Sequence, residues 1–259
     1  MRTNSATLLL TFTLSSLTAH SNPLRTADIA VYKIEDVLEV NRNDLPYVKI
    51  LSLLDQRIPI KLEYQFIHAL RAAETFNNKN IACLFPGSIL AYDSDRELIE
   101  SKPIQIAKAY FIAKKTYDSQ KILANKDPSL RIGFRRGNTY GGQIKTLAHH
   151  RLIPLNSGAD IRQLIELDRI DVFLGYLPDS FPVIHAIPEK PLQYNEASLF
   201  YSQNDSFLCQ NTFENQILVN FIDYEIQKMH DSGELAQILA PLNQPEPEQP
   251  QQPQSKTDF

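Results

Sequence analysis

The chain has 259 residues, of which 43% are hydrophobic and 22% charged, and its formal net charge is −4 at neutral pH. This length allows one large domain or two lobes, with a sizeable core in either case. The Lys and Arg residues form no long basic stripe, so the composition argues against a non-specific nucleic-acid binder.

The first residues, MRTNSATLLLTFTLSSLTAHS, are typical of a secretory signal. One Arg precedes an apolar stretch from Ala6 to Leu17, which is too short to span a bilayer, and small residues follow at Ala19 and Ser21. We predict that residues 1–21 are a signal peptide cleaved near Ser21, and that the mature protein is periplasmic. A disordered or helical N-terminus is the alternative.

Predicted strands and helices alternate after this segment. Apolar alternation predicts strands at 27–34, 58–66, 81–88, 110–115, 130–137 and 170–177, and helical spacing predicts helices at 44–57, 67–78, 141–151 and 159–169. This alternation is typical of an α/β protein with a mostly parallel sheet, here as two similar units in tandem.

The C-terminal region has a different pattern. Residues 215–239 predict one long helix whose apolar face carries Ile217, Leu218, Phe221, Ile222 and Ile226, and this face must pack against another part of the protein. The Pro- and Gln-rich residues 241–259 predict a disordered tail.

The chain has two cysteines, Cys83 and Cys209. In an oxidising compartment they can form a disulfide. Cys83 lies in an apolar strand, however, where a buried free thiol is the alternative. Two cysteines alone make no structural zinc site, and we expect no metal or cofactor.

The segment RIGFRRGNTYGGQIKTL, residues 131–147, reads as a strand, a glycine-containing turn and a helix. Free N–H groups at a helix start favour a small anion. The segment lacks the Gly-Lys-Ser/Thr of a P-loop and does not fit G-x-G-x-x-G, so a nucleotide site is disfavoured. A plain turn in which Asn138 or Thr139 caps a helix is the alternative.

Several motifs in order resemble one protein family. ELIESKPIQIAKAYFIAKK, RIGFRRGNTYGG, LIELDRIDVFLGYLP and HDSGELAQIL occur in the sequence in the order found in the family 3 extracellular solute-binding proteins, the amino-acid-binding proteins of bacterial uptake systems. The resemblance covers roughly Ala27 to Ala240. It implies a two-lobed α/β structure, the type II periplasmic-binding fold, with two crossover hinge strands. Lobe 1 would take 22–106 and 197–240 and lobe 2 would take 107–196, so that the C-terminal helix docks on lobe 1.

The resemblance also implies a ligand site between the lobes. On lobe 2, the turn with Asn138 and Thr139 would bind the ligand's carboxylate. On lobe 1, Arg96 would offer a guanidinium to the same group, and Phe85 and Ser88 would supply an apolar wall and a hydroxyl. The alternatives are a solvated Arg96 and a core role for Phe85.

One position departs from the family pattern. Tyr176 stands where amino-acid binders usually carry the acid that holds the ligand's ammonium, and Asp171 occurs earlier, at the start of a strand. A phenol brings no negative charge to balance a desolvated ammonium. Our hypothesis is that Tyr176 contacts a ligand that is not a standard α-amino acid, or that the binding capacity has drifted.

The motifs of common enzymes are missing from the sequence. It contains no G-x-S-x-G, no H-E-x-x-H and no Cys-rich metal spacing, so we expect a binding protein rather than an enzyme. We predict capture of a small polar, carboxylate-bearing ligand for an ABC-type uptake system. The expected partners are that ligand and an ABC permease or membrane sensor, with no nucleic acid and a monomeric chain. The alternatives are an orphan periplasmic sensor and a dehydratase-like enzyme on the same scaffold.

Overall fold

The computed structural model describes residues 26–78, 81–92, 96–138 and 140–243. The predicted signal peptide, Thr139 and residues 244–259 of the predicted tail lie outside these ranges. The first residues of that tail, 241–243, are ordered in a 3-10 turn, Ala240–Asn243, contrary to the prediction of disorder from residue 241.

Nine strands and seven α-helices occur in the described ranges. The strands are β1 (Thr26–Tyr32), β2 (Lys61–Ile67), β3 (Cys83–Gly87), β4 (Leu98–Glu100), β5 (Gln105–Ile112), β6 (Arg131–Arg135), β7 (Arg151–Leu155), β8 (Val172–Leu177) and β9 (Tyr201–Gln210). The helices are α1 (Pro46–Arg57), α2 (Ala69–Asn77), α3 (Ser119–Ala124), α4 (Gly158–Glu166), α5 (Phe181–His185), α6 (Phe213–Asp231) and α7 (Glu234–Leu239).

The strands form one curled sheet with two halves. Their order is β2-β1-β3-β9-β5-β8-β6-β7, and β4 pairs with β9 outside this path. Strands β1, β2 and β3 are parallel, as are β6, β7 and β8. The alternating pattern of the sequence therefore predicted the α/β class and the parallel strand groups correctly.

Strand β9 belongs to both halves of the sheet. Its residues from Tyr201 to Asp205 pair with β5, whereas Ser206 and the residues beyond it pair with β3 and β4. The segment between β4 and β5 runs alongside, since Ser101 N–H donates to Phe207 O and Ile104 N–H donates to Asp205 O. The fold is thus two-lobed with two crossing strands, as expected. We call β1–β4 with α1, α2, α6 and α7 lobe 1, and β6–β8 with α3–α5 lobe 2.

The core of lobe 1 contains residues from α1 and α6. Tyr47, Ile50 and Leu54 of α1 share one apolar cluster with Leu218 and Ile222 of α6. The C-terminal helix therefore docks on lobe 1, which confirms the expectation. The buried apolar stripe of α6 is narrower than predicted, because Ile217 and Phe221 are each 37% exposed at the edge of the packed face.

The sheet of lobe 2 has an apolar cluster on each face. Phe111 and Tyr140 are buried on one side. On the other side, Ile161 and Ile165 of α4 pack with Phe173. This two-sided packing explains why β8 reads as a continuous apolar run rather than an alternating one.

Two predicted helices are wrong in part, and glycine explains both. The single helix over 215–239 is interrupted at Gly233, whose φ of 77° separates α6 from α7. The helix predicted over 141–151 is a 3-10 turn, Tyr140–Leu147, and β7 begins at Arg151. Gly141 and Gly142 have φ values of 56° and 78°, which are left-handed conformations that a right-handed helix excludes.

Cys83 and Cys209 form a disulfide. They are directly opposite each other on the antiparallel strands β3 and β9, and both are fully buried. Of the two alternatives, the disulfide is correct and the free thiol is wrong. Because the bond spans 126 residues of sequence, chain-entropy theory assigns it about 5 kcal/mol of stabilisation.

In the described ranges, no helix has both the length and the apolar character needed to cross a bilayer. The His, Cys, Asp and Glu side chains of the same ranges form no group of three or more that could hold a metal ion.

Candidate functional site

The two lobes approach each other at a pair of 3-10 turns. Ile89–Ala91 of lobe 1 faces the turn that follows β6 in lobe 2. A Cβ added to Gly141 would lie 2.8 Å from Leu90 O and would also overlap the hydroxyl of Tyr201. Only glycine allows this approach, so the glycines that the sequence analysis singled out shape a contact between the lobes.

A second contact between the lobes lies at the start of α4. The N–H of Gly158, the first residue of this helix, donates to Glu35 Oε2 of lobe 1 over 3.2 Å. The hydroxyl of Ser157 caps the same helix by accepting from Asp160 N–H. Carboxylates are favoured here because the helix start carries a partial positive charge.

A cavity of about 220 Å³ lies beside this second contact, since both Glu35 and Gly158 line it. Its charged lining residues are Glu35 and Asp36 from lobe 1 and Arg135, Arg162 and Asp179 from lobe 2. This volume is below the roughly 300–1,000 Å³ of pockets for drug-sized ligands. The cavity therefore suits a small polar molecule and can contact it from both lobes.

The two arginines of the cavity differ in their surroundings. The guanidinium of Arg135, the last residue of β6, forms no hydrogen bond or ion pair with the other described residues. The guanidinium of Arg162 is buried, donates to the carbonyls of Ile184 and Lys190, and pairs with Glu166 at 2.9 Å. Arg162 is thus held by the protein, whereas Arg135 is available to an anionic group.

Asp179 brings a carboxyl group to the same cavity. Burial raises its pKa to about 7, the charge of Asp205 adds to this shift, and the charge of Arg135 opposes it. Asp179 is three residues beyond Tyr176, where the resemblance expected an acid. The chain therefore does present an acid at this end of β8, although at another position.

A polar network lies where the strands cross. The hydroxyl of Tyr47, on α1, donates to Asp205 of β9, and the side-chain amide of Gln105 on β5 donates to Tyr47 Oη and, over 3.4 Å, to Asp205 Oδ2. Burial raises the pKa of Asp205 to about 6, and its hydrogen bonds act in the opposite direction. This network joins lobe 1 to both crossing strands.

Of the site residues predicted on lobe 2, Tyr176 and Asn138 lie around Tyr140. The ring of Tyr176 stacks on that of Tyr140 with a centroid distance of 4.9 Å, and its hydroxyl donates to Gln203 Oε1 at 2.9 Å. Asn138 Nδ2 is 3.5 Å from Tyr140 Oη. The predicted ligand residue between them, Thr139, lies outside the described residues.

On lobe 1, Ser88 lies at the contact between the lobes. Its side chain is fully buried, accepts from Leu90 N–H at 3.3 Å and is 3.4 Å from Glu100 Oε2. Ser88 also begins the 3-10 turn that faces Gly141. The structure therefore brings the predicted Ser88 turn and the glycine turn of lobe 2 face to face.

Phe85 and Arg96 lie away from the cavity lining. Phe85 is fully buried and packs against Phe207 and Tyr47 with centroid distances of 4.6 Å and 5.7 Å, which supports the alternative of a core role. Arg96 is half-buried near Tyr92, whose hydroxyl donates to Ala73 O of α2. Burial raises the pKa of Tyr92 to about 12, and the charge of Arg96 acts in the opposite direction.

The sequence analysis missed Arg135, Asp179 and Glu35. Arg135 ends β6 and Asp179 follows β8 after one proline. Ligands of α/β proteins bind outside the carboxyl ends of parallel strands, so the position of these two residues was a usable signal. Glu35 gave no such signal, because its role depends on how lobe 1 meets α4.

Comparisons with known proteins agree with this architecture. No protein-family model matches the chain, and no curated protein matches it in sequence. Among solved structures, an ancestral amino acid-binding protein, described as a precursor of cyclohexadienyl dehydratase, is 12% identical with a TM-score of 0.65, over 85% of this chain and 96% of its own.

Two transport proteins are similar to the same degree. An arginine transport system periplasmic binding protein from Legionella pneumophila is 11% identical over 84% of this chain and 99% of its own, with a TM-score of 0.64. The amino acid ABC transporter substrate-binding protein AbpA from Streptococcus pneumoniae, bound to L-arginine, is 13% identical over 83% of this chain and 93% of its own, with the same TM-score. These similarities confirm the type II periplasmic-binding fold.

Proposed function

We propose that this protein is an extracytoplasmic solute-binding protein that captures a small polar, carboxylate-bearing ligand between its two lobes. The observation that supports it most is the cavity of about 220 Å³ with charged residues from both lobes. A ligand that contacts both walls favours the arrangement in which the lobes meet, and this is how such a fold couples binding to closure.

The similar solved structures support the binding role, since those compared are an amino acid-binding protein, a periplasmic binding protein and a transporter substrate-binding protein. The buried disulfide between Cys83 and Cys209 supports an oxidising compartment. Together with the predicted signal peptide, it favours the periplasm. We further propose that the protein is a monomer and delivers its ligand to an ABC-type permease. The proposed lobe boundaries are 22–106 with 197–240 for lobe 1 and 107–196 for lobe 2.

The ligand contacts in this proposal come from two groups of residues. Arg135 and Asp179 line the cavity and supply a guanidinium and a carboxyl group. The predicted residues Ser88, Asn138 and Tyr176 lie near the contact between the turns. Thr139 remains a proposed ligand residue from the sequence, and Phe85 and Arg96 remain as more distant proposed residues. Arg135 is the best-placed cation for a carboxylate, because a guanidinium binds one with two parallel hydrogen bonds.

A thermal-shift screen against amino acids and other small carboxylates tests the function. A ligand that binds the native protein raises the melting temperature by mass action. We expect at least one carboxylate to do so, and Arg135→Gln to abolish the shift, whereas Arg136→Gln at the exposed neighbouring position preserves it. The proposal is wrong if no compound stabilises the wild-type protein.

An orphan periplasmic sensor is the second candidate, since the same ligand cavity serves either role. A dehydratase-like enzyme is the third, and the similarity to a precursor of cyclohexadienyl dehydratase is the observation in its favour, although that precursor is itself an amino acid-binding protein. Turnover of a cyclohexadienyl acid that is lost in Asp179→Asn would favour the enzyme over the binding protein.

A further inference from the structure

Two opposite charges lie beside the first residue of α4 without pairing. A Cβ built on Gly158 would be 3.4 Å from Glu35 Oε2 and 4.0 Å from Arg135 Nη2. Glu35 accepts a hydrogen bond from the Gly158 N–H. The side chains of Glu35 and Arg135 nevertheless form no ion pair with each other. The carboxylate of lobe 1 and the guanidinium of lobe 2 therefore both lie beside the first residue of α4.

A buried arginine, Arg162, lines the same cavity. Arg162 is only 6% exposed, and its Nη atoms donate to backbone carbonyls of Val183, Ile184 and Lys190. Its Nε has no hydrogen-bond partner among the described residues. A buried N–H donor without an acceptor is unfavourable, so the positive charge of Arg162 is incompletely satisfied in the wall of this cavity.

We propose that the Arg135 side chain and the Gly158 N–H form an anion subsite that binds the ligand's carboxylate, beside the buried guanidinium of Arg162 in the cavity wall. Glu35 competes for this subsite, because it occupies the Gly158 N–H in the structure. The inference rests on the proposed capture of a carboxylate between the lobes. It places that group at the start of α4 rather than at the turn with Asn138 and Thr139.

Competition between Glu35 and a bound anion for the Gly158 N–H should weaken anion binding. Glu35 and Asp36 line the cavity together with Asp179 and the two arginines, so the carboxylates of Glu35 and Asp36 repel a bound anion. Removing Glu35 frees the Gly158 amide and removes one of these charges. Anion binding at this amide should therefore become stronger when Glu35 is replaced.

Acetate, the simplest stable carboxylate with a methyl group, is a suitable probe of the subsite. The amide resonance of Gly158 in the ¹⁵N-labelled full chain is followed during titration with sodium acetate, with sodium chloride at equal ionic strength as the salt control. We compare the wild type, Glu35→Ala, Glu35→Ala with Arg135→Gln, and Glu35→Ala with Arg136→Gln. Arg136 is the matched control because it is the exposed next residue.

We expect a saturable acetate-dependent shift of the Gly158 resonance that is several-fold tighter in Glu35→Ala than in the wild type. Arg135→Gln in that background should weaken it about tenfold, because hydrogen bonds to charged groups are the strong ones. Arg136→Gln should leave it unchanged. Thermal melts of each variant confirm that it is folded.

An unmoved Gly158 resonance in Glu35→Ala, or equal effects of the Arg135 and Arg136 substitutions, would overturn the inference. This failure is distinguishable from failure of the proposed function. If a carboxylate stabilises the protein in the thermal-shift screen while acetate leaves Gly158 unmoved, the binding role stands and only the subsite is wrong. If acetate binds as described but no compound in the screen does, the subsite stands and the function is wrong.

Discussion

Asp179 is a carboxyl group whose ionisation the fold opposes. Its pKa is raised to about 7, chiefly by burial and then by the charge of Asp205, against an ordinary value near 3.8. The folded protein therefore holds a proton on Asp179 in a pH range where the unfolded chain has lost it. The resulting contribution to stability is present below about pH 4 and is lost as the pH rises through about 7.

Asp179→Asn should remove this loss, because asparagine carries no charge at any pH. Each unit of pKa shift corresponds to about 1.4 kcal/mol, and partial exposure of Asp179 reduces the full effect, so we expect the variant to be more stable than the wild type at pH 8 by about 1–2 kcal/mol. At pH 4 the two should be equal. Denaturant unfolding at both pH values measures the difference.

Asp171→Asn is the matched control, since a hydrogen-bonded ion pair with Arg131 lowers the pKa of Asp171. That variant should lose stability at pH 8 rather than gain it. If Asp179→Asn gains nothing at pH 8, the carboxyl group is not held in an environment that opposes its charge.

At the scale of elements, the turn after β6 carries a test of the contact between the lobes. Gly141 and Gly142 both have positive φ, so alanine at either position costs about 1 kcal/mol in backbone strain. A Cβ at Gly141 would also collide with Leu90 O and the Tyr201 side chain, whereas a Cβ at Gly142 meets no atom within 4 Å. The two glycines form a matched pair.

Gly141→Ala should therefore separate the lobes, and Gly142→Ala should not. We expect Gly142→Ala to lose about 1 kcal/mol of stability with an unchanged radius of gyration. Gly141→Ala should lose more and increase the radius of gyration, because moving the turns apart is the way to relieve the collision. Small-angle scattering and denaturant unfolding measure both effects, and identical behaviour of the two variants would show that the turns do not hold the lobes together.

The turn after β6 also shows which features of secondary structure the sequence did not predict. Strands β3, β6 and β8 were predicted to within a few residues, because short apolar runs bounded by turn residues determine them locally. The helix predicted from Gly141 failed because Gly141 and Gly142 adopt left-handed conformations, and at Gly141 the turn also contacts lobe 1. The sequence also left undecided whether Cys83 and Cys209 form a disulfide. Predicting that bond requires knowing the register between β3 and β9, two strands that are distant in sequence.

At the scale of the whole molecule, the crossing strands decide how lobe 1 and lobe 2 are held. The sequence, through its family resemblance, predicted two crossings but not the polar network within them. That network needs Tyr47 of α1 to reach Gln105 and Asp205, which lie 58 and 158 residues further along the chain. Likewise, the charged cavity arises only when the lobes face each other, so local patterns identified the glycine turn after β6 but missed the cavity residues Arg135 and Asp179.

Tyr47→Phe tests whether this network stabilises the crossing. The variant removes a donor from Asp205, whose pKa is already raised to about 6 by burial, and leaves Gln105 as a long contact at 3.4 Å. Below that pKa the carboxyl group is protonated and tolerates the loss, whereas above it a buried charge loses its main hydrogen bond. We expect Tyr47→Phe to lower the free energy of unfolding by about 1 kcal/mol at pH 5 and by about 2–3 kcal/mol at pH 8, measured by denaturant unfolding.

Tyr64→Phe is the control. Tyr64 donates to the neutral carbonyl of Leu51, so the loss of stability in this variant should not depend on pH. Equal costs of Tyr47→Phe at the two pH values would mean that its hydroxyl does not stabilise the charge on Asp205, and that the crossing is held by packing alone.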